Sequence, residues 1–168
     1  MSRLGPAATA LLLAFSLAGL ASSLLVLYEY YTLHRPPPLC EIPRDQGPIQ
    51  LNCELVLSSP YSRVGPFPLD ALAAAWFIIN ISLALAALYA PLGAARASAR
   101  ALFGWRFVGL AVVPYLVYVE LFVIRAICVY CTIMHVMIIA DFVVVSLLLF
   151  GRRSPLRRSL WGAGASHR

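Results

Sequence analysis

Four cysteines are the residues of this chain with the clearest capacity for chemistry: Cys40, Cys53, Cys128 and Cys131. The last two form a Cys-x-x-Cys pair in the stretch ICVYCTIMH, where a long apolar run begins. Such a pair can bind a metal, form a structural disulfide or pass electrons by thiol–disulfide exchange. A structural zinc site would require all four thiolates to converge in a tetrahedron. Such a site would be closed and would have no reason to lie at a membrane edge, so we expect no metal. We favour redox exchange, with a purely structural disulfide as the alternative.

The Cys-x-x-Cys pair lies where a helix is predicted to begin, and this position affects its two thiols differently. Backbone amides in the first turn of a helix have no hydrogen-bond partner and carry partial positive charge, which stabilises a thiolate. Cys128 is best placed to benefit, whereas Cys131 lies one turn further into the apolar run, where loss of hydration opposes ionisation. We expect Cys128 to exchange disulfides with the preceding loop and Cys131 to face an acceptor in the membrane. A lipid-soluble quinone is the obvious candidate.

His135 follows Cys131 by four residues and Cys128 by seven, so all three share a face of the predicted helix. A neutral imidazole can both donate and accept hydrogen bonds near physiological pH. We expect His135 to hydrogen-bond a quinone carbonyl or to help protonate it. A hydrogen bond to a neighbouring helix is the alternative.

The chain is unusually apolar, because 61% of its 168 residues are hydrophobic and its mean hydropathy is +0.83. Four segments reach the roughly 20 residues that cross a bilayer: 6–30, 69–89, 103–124 and 128–150. We predict an all-α membrane protein in which one domain, 1–168, forms a four-helix transmembrane bundle. A loop at 31–68 caps it, 90–102 links the second and third spans, and 151–168 is a basic tail. The first segment could be a cleaved signal peptide, but its apolar run is too long for that class.

All thirteen basic residues are arginines, and nine of them lie at the N-terminus, in the link and in the tail. They are Arg3; Arg96, Arg100 and Arg106; and Arg152, Arg153, Arg157, Arg158 and Arg168. Four spans place these regions on one side, and arginine retention marks the cytoplasmic side. We expect a plasma-membrane protein with cytoplasmic termini and a tail that contacts anionic lipid rather than nucleic acid. The four cysteines then lie on the oxidising extracytoplasmic side, where disulfides persist.

Polar residues inside the spans need partners, because charge is costly in the membrane. Asp141 lies ten residues past Cys131, about 15 Å along a helix, and Asn80 lies midway along the second span. We expect a hydrogen bond between them that joins two helices, with a proton-relay role for Asp141 as the alternative. Glu120 and Arg125 are five residues apart, a spacing that aligns poorly on a helix, so we expect Arg125 to anchor at the lipid headgroups.

The segment NCELVLSSPYSRVGPFPL, Asn52 to Leu69, precedes a helix, a basic link, a third helix and CVYC at the start of a fourth. This arrangement resembles the vitamin K epoxide reductase family, and more narrowly its prokaryotic and archaeal members, which oxidise protein thiols. The resemblance implies a four-helix bundle around a quinone of the menaquinone or ubiquinone type. It implies a shuttle pair at Cys40 and Cys53 and an active dithiol at Cys128 and Cys131, with Cys131 beside the quinone. It also implies a quinone-contacting serine at Ser59, with Ser58 a weaker candidate.

Two features depart from the family pattern. Cys40 and Cys53 are thirteen residues apart, wider than the familiar spacing, and His135 stands where the animal enzymes have a tyrosine. Several bacterial relatives fuse a thioredoxin-like domain to the bundle, whereas we expect the thiol partner of this chain to be a separate thioredoxin-like or DsbA-like protein. The resemblance predicts a quinone-coupled thiol oxidase that generates disulfides. The alternatives are a quinone-epoxide reductase and a non-enzymatic membrane protein held together by disulfides.

Overall fold

Four long helices make up most of the protein in a computed structural model, which describes residues 6–40 and 50–150. All four are long and apolar enough to cross a membrane, which confirms the prediction of an all-α, four-helix membrane protein. The four long helices are α1 (Pro6–Val26), α3 (Leu69–Tyr89), α4 (Leu92–Tyr118) and α5 (Val129–Phe150), and a short helix, α2, covers Cys53–Leu57. Two of the long helices continue as π-helical segments: α1 through Leu27–Thr32 and α4 through Val119–Ile124.

The four long helices pack as a closed ring. Helix α1 contacts α3 and α5, and α4 contacts the same two helices from the other side. Two glycines mark places where helices approach closely. A Cβ at Gly19 of α1 would lie 2.1 Å from the Phe77 ring of α3, and one at Gly109 of α4 would lie 2.8 Å from the Trp76 indole of α3. Small residues at such crossings allow helices to associate in lipid, where apolar burial supplies little driving force.

The third span begins earlier than the sequence analysis predicts. Helix α4 starts at Leu92, immediately after Pro91, so most of the expected link at 90–102 is helical. Proline lacks an amide hydrogen but is tolerated where a helix begins. The alanine- and arginine-rich residues that follow are good helix formers. At 1.5 Å per residue, the 32-residue candidate span Gly93–Ile124 is about 48 Å long, longer than the roughly 30 Å hydrocarbon core.

Short elements cover one end of the ring, where α1 and α4 end and α3 and α5 begin; we call this the loop end. Strand β1 (Gln50–Leu51) pairs in parallel with β4 (Ala126–Ile127), and β2 (Arg63–Val64) pairs with β3 (Phe67–Pro68) as a hairpin that leads into α3. Asn52 caps α2, because its side-chain oxygen accepts a hydrogen bond of 3.0 Å from the Leu55 amide. Val56 and Leu57 of α2 are buried against the helices, as expected for a loop that caps the bundle.

A buried polar cluster, contributed by all four long helices, lies in the interior of the ring: Ser16 on α1, Asn80 on α3, Arg106 on α4 and Asp141 on α5. The Asn80 Nδ2 donates to Asp141 Oδ2 over 2.9 Å and to Ser16 Oγ over 2.6 Å. Ser16 Oγ donates to Asp141 Oδ2 over 2.8 Å. The predicted hydrogen bond between Asn80 and Asp141 is therefore confirmed, and Ser16 is an additional partner.

The expected position of Arg106 in a cytoplasmic link is wrong. Its side chain is fully buried, with Nη1 donating to the Asp141 carbonyl oxygen and lying 3.8 Å from Asp141 Oδ1. Because α4 begins at Leu92, Arg106 is about 21 Å along the helix, where it balances the Asp141 charge. The terminal arginines, Arg3 and those of the tail at 151–168, lie outside the described residues.

We predict that the Arg106–Asp141 pair stabilises the bundle mainly by mutual neutralisation. Asp141→Asn leaves a buried cation without its counter-charge, and Arg106→Met leaves a buried anion. Each single variant should lower the free energy of unfolding by about 3–5 kcal/mol. The double variant Arg106→Met/Asp141→Asn carries neither charge and keeps an oxygen that can accept from Ser16 and Asn80.

Denaturant unfolding in lipid-like detergent would measure these losses. The double variant should recover at least half of the loss seen in either single variant. Strictly additive losses would show that the two charges do not stabilise each other.

Candidate functional site

The Cys-x-x-Cys pair begins helix α5. Cys128 immediately precedes the first helical residue, and its sulfur accepts a hydrogen bond of 3.5 Å from the Cys131 amide. This is the position and the bond of an N-cap side chain, so the sulfur meets an otherwise unpaired first-turn amide, as expected from the sequence. The Cys128 carbonyl accepts from the Thr132 amide and from Thr132 Oγ1, both at 2.9 Å, which fixes the turn. Both cysteines carry free thiols.

The loop cysteines form a disulfide bond in the structure. Cys40 ends a short 3-10 turn, Pro38–Cys40, and Cys53 is the first residue of α2, with their Cα atoms 5.5 Å apart. Cys53 is fully buried, whereas Cys40 is only half-buried. The sequence analysis predicted this pairing from resemblance, and the wider thirteen-residue spacing is compatible with it.

All four cysteines meet in one buried cluster at the loop end. Cys53 and Cys128 belong to the core of this cluster together with Val26 and Ala126, and Cys40 and Cys131 pack against it. The pairing of β1 with β4 brings the cysteines together. The Gln50 amide donates to the Arg125 carbonyl over 3.0 Å, and the Asn52 amide donates to the Ile127 carbonyl over 3.2 Å. Cys53 follows the first strand and Cys128 follows the second, so the loop disulfide is held beside the start of α5.

A cavity of about 650 Å³ lies between α3, α4, α5 and the loop residues 56–64. Cys131 lines this cavity, whereas Cys128 does not. Most of the wall is apolar or aromatic, including Trp76, Trp105 and Met134. Ligand pockets of 300–1,000 Å³ with apolar walls and a few polar groups are typical of sites for small organic molecules. The dithiol therefore has one sulfur under the loop and the other at an organic-ligand cavity.

The cavity opens between α3 and α4. Residues on these two helices line the cavity and are also exposed on the outer surface of the bundle. They are Leu72 and Ile79 on α3 and Val108, Val112 and Tyr115 on α4. In a membrane this surface faces lipid, because both helices are candidate spans. A lipid-dissolved ligand could enter the cavity sideways without crossing water.

The other two predicted ligand contacts, Ser59 and His135, line the same cavity as Cys131. His135 is buried one turn beyond Cys131 on α5. Ser59 lies at the loop side, where its hydroxyl donates to the Val56 carbonyl over 2.7 Å. With its proton engaged in this way, the Ser59 oxygen can still accept a hydrogen bond from a ligand. Ser58 is exposed and does not line the cavity.

Two buried acids at the loop side of the cavity were missed as site residues by the sequence analysis. Asp70 lies in the first turn of α3, and Glu120 lies in the π-helical end of α4. Both are buried, and both line the cavity that Cys131 also lines. An acidic residue inside an otherwise apolar span was the available signal. The sequence analysis considered Glu120 only as an ion-pair partner of Arg125, which is exposed at the end of the helix in the structure.

Comparison of the sequence with known protein families gives a match. A model of the Vitamin K epoxide reductase family matches residues 10–146, which is most of the chain. This family comprises oxidoreductases associated with membranes and quinones. No curated protein matches the chain when the sequences are compared directly.

We predict that Gly109 controls the size of the cavity. An added Cβ would lie 2.8 Å from Trp76 and 3.0 Å from Ile138 Cγ2, and all three residues line the cavity. Gly109→Ala should push these side chains inward and weaken binding of a short-chain quinone probe about tenfold, because overpacking by one methyl typically costs about 1–3 kcal/mol. Gly104→Ala is the matched control on the same helix, since nothing lies within 4 Å of its added Cβ.

Quenching of tryptophan fluorescence would report binding, because Trp76 and Trp105 line the cavity. Equal dissociation constants for the two glycine variants would contradict the prediction.

Proposed function

We propose a specific reaction for this chain, which belongs to the Vitamin K epoxide reductase family. It oxidises the dithiol of a separate thioredoxin-like or DsbA-like protein to a disulfide and passes the two electrons to a membrane quinone of the menaquinone or ubiquinone type. It is thus a quinone-dependent protein thiol oxidoreductase.

The observation that carries this proposal is the division of the Cys-x-x-Cys pair between two environments. Cys128 is in the buried cluster that contains Cys53 of the loop disulfide. Cys131, one turn further along α5, lines an apolar cavity that opens toward lipid. A structural disulfide has no need of this division. A relay between a protein thiol and a lipid-soluble acceptor requires it, because one sulfur must meet each substrate.

The proposed relay begins at Cys40, the more accessible half of the loop disulfide. A partner thiolate attacks Cys40 and releases Cys53 as a thiolate, and the partner's second thiolate then resolves the mixed disulfide. The partner leaves with a disulfide, and the loop holds two thiols.

The Cys53 thiolate next attacks Cys128 of an oxidised Cys128–Cys131 pair and releases the Cys131 thiolate. Cys40 resolves the Cys53–Cys128 bond and restores the loop disulfide. The Cys128–Cys131 pair now carries the two electrons as thiols. A loop disulfide beside two free thiols corresponds to the end of these steps. Cys53 is the proposed attacking residue because it shares the buried cluster core with Cys128, whereas Cys40 lies at its edge.

A quinone bound in the cavity would supply the electron acceptor, taking two electrons and two protons as the Cys128–Cys131 disulfide reforms. Cys131, Ser59 and His135 would hold it. A quinone carbonyl accepts hydrogen bonds, and the Ser59 proton is already donated to Val56. His135 is therefore the proposed donor to the oxidised ring, and the Ser59 oxygen the proposed acceptor from its reduced, hydroxyl-bearing form.

The proposed orientation places the loop end outside the cell and both termini in the cytoplasm of a plasma-membrane protein. Arg96 and Arg100 lie near the start of α4, at the end of the bundle away from the cysteines. Positive residues are retained on the cytoplasmic side. This orientation brings the loop disulfide to the compartment in which protein disulfides persist, so that the partner and the membrane quinone are both within reach. Nucleic acid has no part in the proposal.

We expect the purified protein to reduce a quinone when a reduced thioredoxin-like protein is the donor. Cys131→Ser should abolish quinone reduction with every donor, because no sulfur then faces the cavity. Cys53→Ser should abolish reduction driven by the protein donor but keep part of the activity driven by a small dithiol, which can reduce the Cys128–Cys131 disulfide without the loop pair. Quinone absorbance gives the rates. Wild-type activity that survives Cys131→Ser would contradict the relay, and activity on a quinone epoxide would identify the other family reaction.

The proposed route also predicts which mixed disulfide can be trapped. In Cys40→Ser/Cys131→Ser neither resolving thiol is present, so Cys53 and Cys128 should form a stable disulfide under mild oxidation. The matched variant Cys53→Ser/Cys131→Ser should form a Cys40–Cys128 disulfide at least about tenfold more slowly, because the attacking thiol is more distant from the cluster core. Peptide mass spectrometry would identify both species. Equal rates would show that the loop cysteines are interchangeable.

A further inference from the structure

Glu120 is a buried acid that has no role in the relay proposed above. It lies in the π-helical segment Val119–Ile124 at the end of α4 and is 6% exposed. The described part of the chain offers its carboxyl neither a side-chain hydrogen bond nor an ion pair. A buried carboxyl without a partner lowers stability, so its presence at this position requires an explanation.

The position of Glu120 relates it to the reacting atoms. It lines the same cavity as Cys131. Its helix ends in π-helical turns, in which the Arg125 amide donates to the Glu120 carbonyl. Such turns are rare and are frequent at functional sites. Val119, Glu120 and Ile124 from this segment all line the cavity.

The other ionisable groups around the cavity are less suited to move a proton at Cys131. Asp70 lies in the first turn of α3, where the partial positive charge of the helix N-terminus favours its ionised form. Arg63 is exposed, and its guanidinium lies 5.8 Å from the centre of the Tyr31 ring. His135 lies one turn deeper on the same helix as Cys131 and is assigned above to the carbonyl of the ligand. Glu120 approaches from the neighbouring helix, α4, and its carboxyl has no hydrogen-bond or ion-pair partner among the described residues.

We propose that Glu120 is the proton-transfer group between the Cys131 thiol and the quinone oxygen. The inference rests on the proposed function and assigns the route of a proton that its chemistry must move. Two S–H bonds break and one S–S bond forms as the cysteines give up two electrons, while the quinone gains two electrons and two O–H bonds. The Glu120 carboxylate takes the proton of Cys131 and gives it to the nearer quinone oxygen, so the carboxyl ends each turnover unchanged.

The first test compares Glu120→Gln, which keeps the shape of the side chain but removes its basicity, with Glu120→Asp. Glu120→Gln should lower kcat for quinone reduction about 100-fold, a typical contribution of a positioned acid–base group. It should leave the KM for a short-chain quinone within about twofold, since the cavity is unchanged, and Glu120→Asp should restore part of kcat. Glu54→Gln is the matched control, because Glu54 is exposed on α2 and does not line the cavity.

Each half of the reaction should be timed separately by rapid mixing. Thiol exchange between the loop pair and Cys128 should keep its wild-type rate in Glu120→Gln, and only reoxidation of the dithiol by quinone should slow. Equal slowing of both halves would show a structural role and overturn the proposal. A kcat within about twofold of wild type would overturn it as well.

A second measurement needs no quinone. Infrared difference spectra between the dithiol and disulfide forms, produced with a soluble oxidant, should contain a carboxyl signal that is lost in Glu120→Gln and kept in Glu54→Gln. An unchanged spectrum in Glu120→Gln would overturn the proposal. A wild-type protein that shows this signal but reduces no quinone would refute the proposed function and leave the proton exchange between Glu120 and Cys131 supported.

Discussion

The buried interaction of Asp141 with Arg106, Asn80 and Ser16 determines how the four helices face one another. In lipid, apolar surfaces gain little by packing together, so polar bonds and close contacts must select the arrangement. The cluster takes one residue from each long helix and so fixes all four rotations together. It also lies next to the cavity, one helical turn beyond residues that line it. Trp76, Gly109 and Ile138 line the cavity and lie one helical turn from Asn80, Arg106 and Asp141 respectively.

The loop end has a different structural role. It holds a disulfide beside a dithiol and covers this end of the bundle. The two-residue strands β1 and β4 hold these groups together. The β1–β4 ladder satisfies backbone groups of Gln50 and Asn52, and α2 then places Val56 and Leu57 over the helices. The Cys128 sulfur is thereby fully buried while it accepts the Cys131 amide.

The sequence predicted those features that depend on local pattern. Apolar length identified the four spans, helical spacing placed Cys131 and His135 on one face, and the isolated Asn80 and Asp141 indicated a contact between helices. The predicted position of Arg106 was wrong, because the number of arginines near a span does not distinguish an arginine at the lipid headgroups from a buried counter-charge. Only the position of Asp141 on another helix distinguishes the two. The β1–β4 pairing was equally hidden, since two-residue strands have no detectable period. Asp70 and Glu120 were missed because their common cavity exists only after three helices and the loop assemble.

The loop end and the ring of helices meet at the single helical turn between Cys128 and Cys131. The loop controls the first sulfur and the ring of helices controls the second, so the two substrates of the proposed reaction never need to share a site. A water-soluble protein can approach Cys40 while a lipid-soluble ring enters between α3 and α4, and only electrons and protons pass between them. Electrons can travel through the disulfides, but protons need an ionisable group that lines the same cavity as Cys131 and has no counter-charge among the described residues. Glu120, held at the cavity by π-helical turns, has these properties.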